Sequence, residues 1–356
     1  LLVSGLAAAD PKTAFDRARA LEAAGDLAAA ESAYREFLKL DPQSGEGYGN
    51  LGVVLARQEK FEVAIGAYRH ALRLRPALVA LRLNLGLAYY KAERHELAVG
   101  EFRAYLRHDP ENRQARQLLA NALLETDQYQ EAAQLYEALS PGDFAIRLGL
   151  ATAYLRLRRT ADARRLLDDL LRQDDSAEVQ LLLAQAHLAG NEFAPAVQSL
   201  RRALELKPSL RSAHFLLGVA AWKQQDVETA VAEWRRELEL DPRQFEPAFA
   251  LGAALVEKGK NAEARSYLEK ALVLRAAHAP SFYYLGKLAH AERKPEARVL
   301  LERAVKLDPS IRPAHYLLAQ IYRAAGLSAQ AERELAAVRR LSAAGVQQDI
   351  DIVQGR

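Results

Sequence analysis

Ten alanines recur along this chain at nearly constant spacing: Ala30, Ala64, Ala98, Ala132, Ala163, Ala196, Ala230, Ala264, Ala297 and Ala331. The intervals are 34, 34, 34, 31, 33, 34, 34, 33 and 34 residues. Each alanine has fixed companions. Around the second stand Leu51, Gly52, Leu55, Phe61, Tyr68, Ala71 and Pro76; one period later stand Leu85, Gly86, Tyr89, His95, Phe102, Tyr105 and Pro110. A unit of this size cannot bury its apolar face alone. Its repetition predicts a stack in which each copy completes the core of its neighbour.

Each period holds two apolar stretches of helical spacing, separated by a polar or glycine-bearing turn such as Gly25-Asp26 or Lys258-Gly259-Lys260. Small residues recur in the first stretch, at Gly52, Gly86, Ala120, Ala151, Ala184, Gly218, Gly252, Gly286 and Ala319. They are expected to let the second helix approach closely, with the laddered alanine doing the same from the other side. A bulky side chain there would overpack the contact, at a cost of about 1–3 kcal/mol. Pro42, Pro76, Pro110, Pro208, Pro242 and Pro309 end the second helix, because proline drives its predecessor out of helical geometry.

These residues resemble the tetratricopeptide repeat family, from near Pro11 to near Gly345. The resemblance implies an all-α fold, a right-handed superhelical solenoid of tandem helix-turn-helix repeats. Ten repeats are expected, starting near Pro11, Gly45, Val79, Arg113, Phe144, Ala177, Arg211, Phe245, Ala279 and Arg312. Repeat four runs into Ser140-Pro141-Gly142-Asp143 without its usual ending, and repeat five ends in Asp174-Asp175 without proline. An irregularity near 139–144 is therefore expected to change the pitch or form a hinge. Repeat nine is one residue short around Lys294-Pro295. The organisation reads as 1–10, a signal-peptide remnant or N-terminal cap; 11–345, one continuous solenoid; and 346–356, a C-terminal tail.

No linker or low-complexity tract interrupts the 356 residues, and a solenoid has no core-size limit. With 49 basic against 46 acidic residues the net charge is +3, which predicts neither a nucleic-acid partner nor any other strong polyelectrolyte. Arg156, Arg158, Arg159, Arg164 and Arg165 are interleaved with or followed by Asp162, Asp168, Asp169, Asp174 and Asp175, a solvated face of mixed charge. The absence of cysteine excludes disulfides, thiol catalysis and zinc-thiolate sites. Leu1-Leu2-Val3-Ser4-Gly5-Leu6-Ala7-Ala8-Ala9 resembles the end of a secretory signal peptide. That reading sets the protein in the periplasm or outside the cell; the cytoplasm is the alternative if the segment is only a cap. The Arg-, Ala- and Leu-rich composition fits a bacterial source. No other stretch approaches a membrane span.

Chemistry-bearing motifs are not found: no phosphate-cradling glycine loop, no nucleophile elbow, no His-Glu-x-x-His helix. His187, His214 and His315 sit at apolar packing positions, where a core role is expected rather than metal binding. Neither catalytic residues nor a cofactor or metal site is expected, and the chain reads as a non-enzyme.

The family resemblance implies that the first helices line a concave groove through their second, fifth, ninth, twelfth and thirteenth positions. The candidate partner-binding residues are then Leu83, Tyr90, Leu155, Leu188, Phe215, Trp222, Phe249, Tyr283, His290 and Tyr316, with the aromatics crowded into repeats seven to ten. Rigid, partly exposed aromatics make good anchors, although part of such a stripe serves packing between repeats. The Lys–Asn carboxylate clamp of chaperone-binding members is missing. Asn50 and Asn84 give way to Leu118, Gly149, Leu182 and Leu216, so the asparagine ladder of sugar-transferase members is missing too. The leading expectation is a protein-protein interaction scaffold that holds an apolar partner segment. The alternatives are the recruiting arm of a larger enzyme and a self-associating solenoid joined through the terminal repeat.

Overall fold

The computed structural model describes residues 10–139 and 143–354, with side chains described as far as residue 343. Among the described residues the chain forms twenty α-helices, paired as ten hairpins, and no strand. It divides between Asp174 and Asp175 into two compact units. The first contains α1 (Pro11–Ala23) with α2 (Leu27–Leu40), α3 (Gly45–Arg57) with α4 (Phe61–Leu74), and α5 (Ala80–Lys91) with α6 (His95–Leu106). It continues with α7 (Arg113–Glu125) and α8 (Tyr129–Leu139), then α9 (Phe144–Arg156) and α10 (Thr160–Leu171). The second unit pairs α11 (Ala177–Ala189) with α12 (Phe193–Leu206), α13 (Ala213–Lys223) with α14 (Val227–Leu240), and α15 (Phe245–Glu257) with α16 (Asn261–Leu274). It ends with α17 (Ala279–Ala291) and α18 (Glu296–Leu307), then α19 (Arg312–Ala324) and α20 (Ser328–Gln354).

The ladder performs the packing role its spacing implies. Eight of the ten alanines, Ala30 to Ala264, are fully buried; Ala297 and Ala331 are 4% and 2% exposed. On the facing helix the small residues meet a large partner. A Cβ added to Gly52 would lie 2.5 Å from the Tyr68 ring, one at Gly86 2.6 Å from the Phe102 ring, and one at Gly252 2.8 Å from Leu268 Cγ. Tyr68, Phe102 and Leu268 are themselves buried. These hairpins thus close where one helix presents almost no side chain and the other presents a large one.

Local geometry follows from the sequence around the helix ends. Asp10, Asp26, Ser44, Asn112, Asp143, Ser176 and Asp226 accept hydrogen bonds from N–H groups of the helix each precedes. All ten hairpin turns pass through one left-handed residue. Gly25, Gly259 and Gly326 take it without cost, while Glu59, Glu93, Asp127, Arg158, Asn191, Gln225 and Arg293 adopt φ near +55° to +64°. The second helices α2, α4, α12, α14 and α18 stop at a residue with extended φ/ψ just before proline. Arg275 adopts the same conformation with Ala276 behind it, so proline reinforces this stop rather than creating it.

Eight of the expected repeat starts coincide with helix starts; α5 begins one residue after Val79 and α13 two after Arg211. The second shift has a clear cause. Ser212 is left-handed, with φ +65°, and makes no capping bond with its own side chain. The cap comes from α14 instead. The Glu237 carboxylate, 1% exposed, accepts from the Ser212 N–H at 3.0 Å, the Phe215 N–H at 3.1 Å and Gln244 Nε2 at 2.9 Å. A buried carboxylate is tolerated only with such partners.

The arginine-rich stretch of the fifth hairpin is held in ion pairs, Arg159 to Asp162 at 2.9 Å and Arg165 to Asp162 at 2.9 Å. Arg159 also stands 3.4 Å from Glu137. This is the mixed-charge surface expected of it. The helix α20 takes in residues 346–354 of the expected tail. The signal-like segment 1–9 and the irregular 140–142 lie outside the described residues.

The closing contact makes a paired prediction within one hairpin. Gly86→Ala forces a methyl against the buried Phe102 ring and is expected to lower stability by about 1–3 kcal/mol. Gly100→Ala on α6 meets open space and is expected to raise stability by about 0.5–1 kcal/mol, because glycine costs helix entropy. Urea denaturation of the two variants, followed by circular dichroism, checks both signs.

Candidate partner-binding face

Within each unit, first helices also touch the first helices of neighbouring hairpins: α3 with α5, α5 with α7, α7 with α9, α15 with α17 and α17 with α19. These contacts set first helices side by side, and the candidate residues lie on first helices. Nine of the ten are half-buried; Tyr316 is exposed, at 51%.

In the first unit, Leu83 and Tyr90 on α5 pack against that unit's core, and the Tyr90 ring stands 5.1 Å from His95, edge-on. Burial raises the Tyr90 phenol pKa, with the nearby Glu125 charge adding to it. Leu155 on α9 is half-buried. In the second unit, Leu188 packs beside Leu181 on the core of α11 to α13. Phe215, Trp222 and Phe249 lean on a second core, and Tyr283 on a third around α18 and α19.

The aromatic cluster expected from Phe215 to Tyr316 is interleaved with residues that the groove positions did not single out. Trp222 lies 5.9 Å from Trp234, whose indole N–H donates to the Phe215 carbonyl at 3.1 Å. Phe249 stacks with Phe245 at 6.2 Å and meets His278 edge-on at 4.6 Å and Tyr284 at 6.0 Å. Tyr284 in turn contacts Tyr283 at 5.1 Å. Phe249 is therefore largely a packing residue, whereas Tyr316 has no ring partner among the described residues. Tyr284 adjoins a groove position in sequence, and that adjacency was the available signal. Trp234, Phe245 and His278 come from outside the groove positions and carried none.

Polar groups frame this face. Lys287, at a ninth position, pairs with Glu257 at 2.9 Å, and that hydrogen bond raises the lysine pKa. The Arg275 guanidinium lies 3.9 Å over the Phe245 ring and 3.2 Å from Glu246. His187, His214 and His315 are buried as expected, each against a glutamate. His214 Nδ1 stands 2.6 Å from Glu233 and Nε2 3.2 Å from the Pro208 carbonyl. His315 repeats the arrangement with Glu334 and the Pro309 carbonyl, and His187 pairs with Glu192 at 2.7 Å. Among the described residues no group of three or more His, Cys, Asp or Glu side chains is placed to hold a metal. No described helix is long and apolar enough to cross a membrane.

His278 links this face to pH. Its Nδ1 accepts the Ser281 N–H at 3.2 Å, so the imidazole itself caps α17, and its ring sits edge-on to Phe245 and Phe249. Burial lowers its pKa below 6.5, with the Arg275 charge acting in the same direction and Glu246 opposing. A depressed folded-state pKa means that the unfolded chain binds the proton more readily. The stabilising contribution is complete above about pH 6.5 and is lost as pH falls through the folded value. His278→Asn keeps a capping oxygen without that proton site. Thermal unfolding between pH 8 and 5 is expected to show a smaller acid loss in the variant than in the parent. Parallel profiles would contradict the assignment.

Tetratricopeptide repeat models match the sequence at 15–78, 83–144, 123–186, 177–210, 195–245, 215–282 and 249–310. No curated protein matches it. Among solved structures, a tetratricopeptide repeat protein from Parabacteroides merdae aligns at TM-score 0.56 with 17% identity, over 69% of this chain and 98% of that one. The structure of the APC/C hetero-tetramer Cut9–Hcn1 aligns at 0.54 with 14% identity, over 94% and 87%. The human IFIT1 dimer with PPP-AAAA aligns at 0.54 with 16% identity, over 95% and 92%. These likenesses establish the fold. With the family models matching most of the length and the hairpins in register, the chain belongs to the tetratricopeptide repeat family.

Proposed function

We propose that this protein is a scaffold that holds an apolar segment of a partner protein along the layer of first helices in its second unit. The observation that carries this reading is Tyr316. A tyrosine 51% exposed on a groove position has no ring to pack on, while Trp222 and Tyr283 on the same positions stay half-exposed. Such rigid rings gain contact area on binding at little entropic cost. The similar fold in the APC/C hetero-tetramer Cut9–Hcn1 occurs in a protein assembly, which supports an interaction role for this chain. The proposed setting is the cell envelope of a bacterium. It rests on the signal-like sequence Leu1–Ala9 alone, and fractionation of cells expressing the natural gene checks it.

The choice of variants follows from packing. Phe249→Ala removes a ring enclosed by Phe245, His278 and Tyr284 and is expected to lower the unfolding temperature. Tyr316→Ala removes an exposed ring and is expected to leave that temperature within a few degrees. In affinity capture, the partner retained by the parent chain is expected to be lost or weakened at least about tenfold with Tyr316→Ala, the loss of one anchoring side chain. Equal retention by parent and Tyr316→Ala would overturn the groove reading.

A further inference from the structure

The one-residue deletion in repeat nine has a structural consequence. In the other hairpins the left-handed turn residue lies five positions before the laddered alanine; Arg293 lies four before Ala297. The lost residue comes out of the first turn of the second helix. Ala64 and Ala264 donate to carbonyls four residues back, Lys60 at 3.0 Å and Lys260 at 2.9 Å, whereas Ala297 donates three back to Lys294 at 3.2 Å. α18 starts one residue before its alanine, where α4 and α16 start three before theirs.

The shortened start of α18 bears on what fills the crevice between hairpins. Three residues before the ladder alanine stands Lys294, where five repeats have Leu27, Phe61, Tyr129, Phe193 or Val227 and four have His95, Thr160, Asn261 or Ser328. One residue after it stands Arg298; Arg164 and Arg265 hold the same place in repeats five and eight, and Ile65, Val99, Val197 or Val231 in four others. Between the second and third hairpins the corresponding crevice is lined by Phe61, Tyr68 and Leu87 together with Arg57, Lys91 and the acidic Glu59. Between the ninth and tenth it is a notch of about 400 Å³, walled by His290, Arg293, Lys294 and Arg298 and floored by Ile321 and Ala324.

No acidic side chain lines this notch. Two of its cations have carboxylates beside them, Lys294 with Glu292 at 2.8 Å and Arg298 with Glu302 at 3.5 Å. The Arg293 guanidinium has no partner among the described residues, and Glu296, at the start of α18, lies outside the lining. Three cations, Arg293, Lys294 and Arg298, converge on one concavity beside Ile321 and Ala324, and with Arg293 unpaired they leave a local positive potential that an anion relieves. We infer that this notch binds an oxyanion group, a carboxylate or a phosphate, with Arg293 and Arg298 as its principal donors. His290 belongs both to the notch and to the groove positions, so the anion sits at the margin of the partner-binding face. The inference stands on the notch and does not depend on the groove reading.

The test is a titration of the ¹⁵N-labelled full chain with inorganic phosphate and, separately, sodium acetate, at constant ionic strength. Saturating shifts are expected at the amides of Arg293, Ala297 and Arg298. Half-saturation is expected to move about tenfold higher in Arg293→Gln/Arg298→Gln, the loss of charge-assisted donors. Saturation by phosphate alone assigns a phosphate ligand; saturation by both assigns carboxylates as well. Tyr316→Ala should leave the titration unchanged, which separates this site from the groove. Shifts that rise linearly and match those at the exposed Arg107 and Arg243 would overturn the inference. So would saturation unaltered in the double variant.

Discussion

The structure depends on one contact made ten times, an alanine on the second helix of each hairpin buried against its first helix. In several hairpins a glycine on the first helix reinforces it by facing a large ring or leucine, as Gly52 faces Tyr68 and Gly86 faces Phe102. Close-packed interiors do not absorb a misplaced methyl group. The spacing of small residues is consequently the least negotiable part of the sequence, and it keeps its register while nearly every other position varies. Because each hairpin touches only its neighbours, a local departure has local consequences. The deletion in repeat nine starts α18 two residues nearer its alanine than α4 and α16 start and leaves Ala297 in the ladder, 4% exposed.

That tolerance explains the polar groups buried in the second unit. Glu237 caps α13 from a neighbouring helix where the local sequence supplies no cap, and His214 and His315 each sit between a glutamate and a proline carbonyl. Each of these groups has its partners within one hairpin and the loop beside it. A polar network of that range need satisfy only local geometry, and the two histidine arrangements are nearly the same because the repeats that contain them are.

The candidate face of first helices follows the same logic with a different outcome. Residues at groove positions are shared between packing and exposure, and the ratio differs from one repeat to the next. Phe249 is enclosed by rings from α15, α17 and the loop between α16 and α17, while Tyr316 on α19 is left open. Equivalent positions therefore carry different energies, and a binding anchor cannot be told from a packing residue by its register.

Much of the fold was legible in the chain. The alanine ladder gave the number of hairpins, the small residues gave the closing contact, and eight of ten helix starts fell where the repeats began. These are consequences of short-range geometry, which a period of about 34 residues records directly. The late start of α13 was not legible, because its cap, Glu237, lies 25 residues from Ser212. Nor was the enclosure of Phe249 by His278 and Tyr284, or the notch at Arg293 and Arg298. The sequence by itself determined which helices form and how each hairpin closes, since those depend on neighbours along the chain. Only the tertiary structure decided which rings stay exposed and which charges converge, since burial and potential depend on side chains brought from adjacent hairpins.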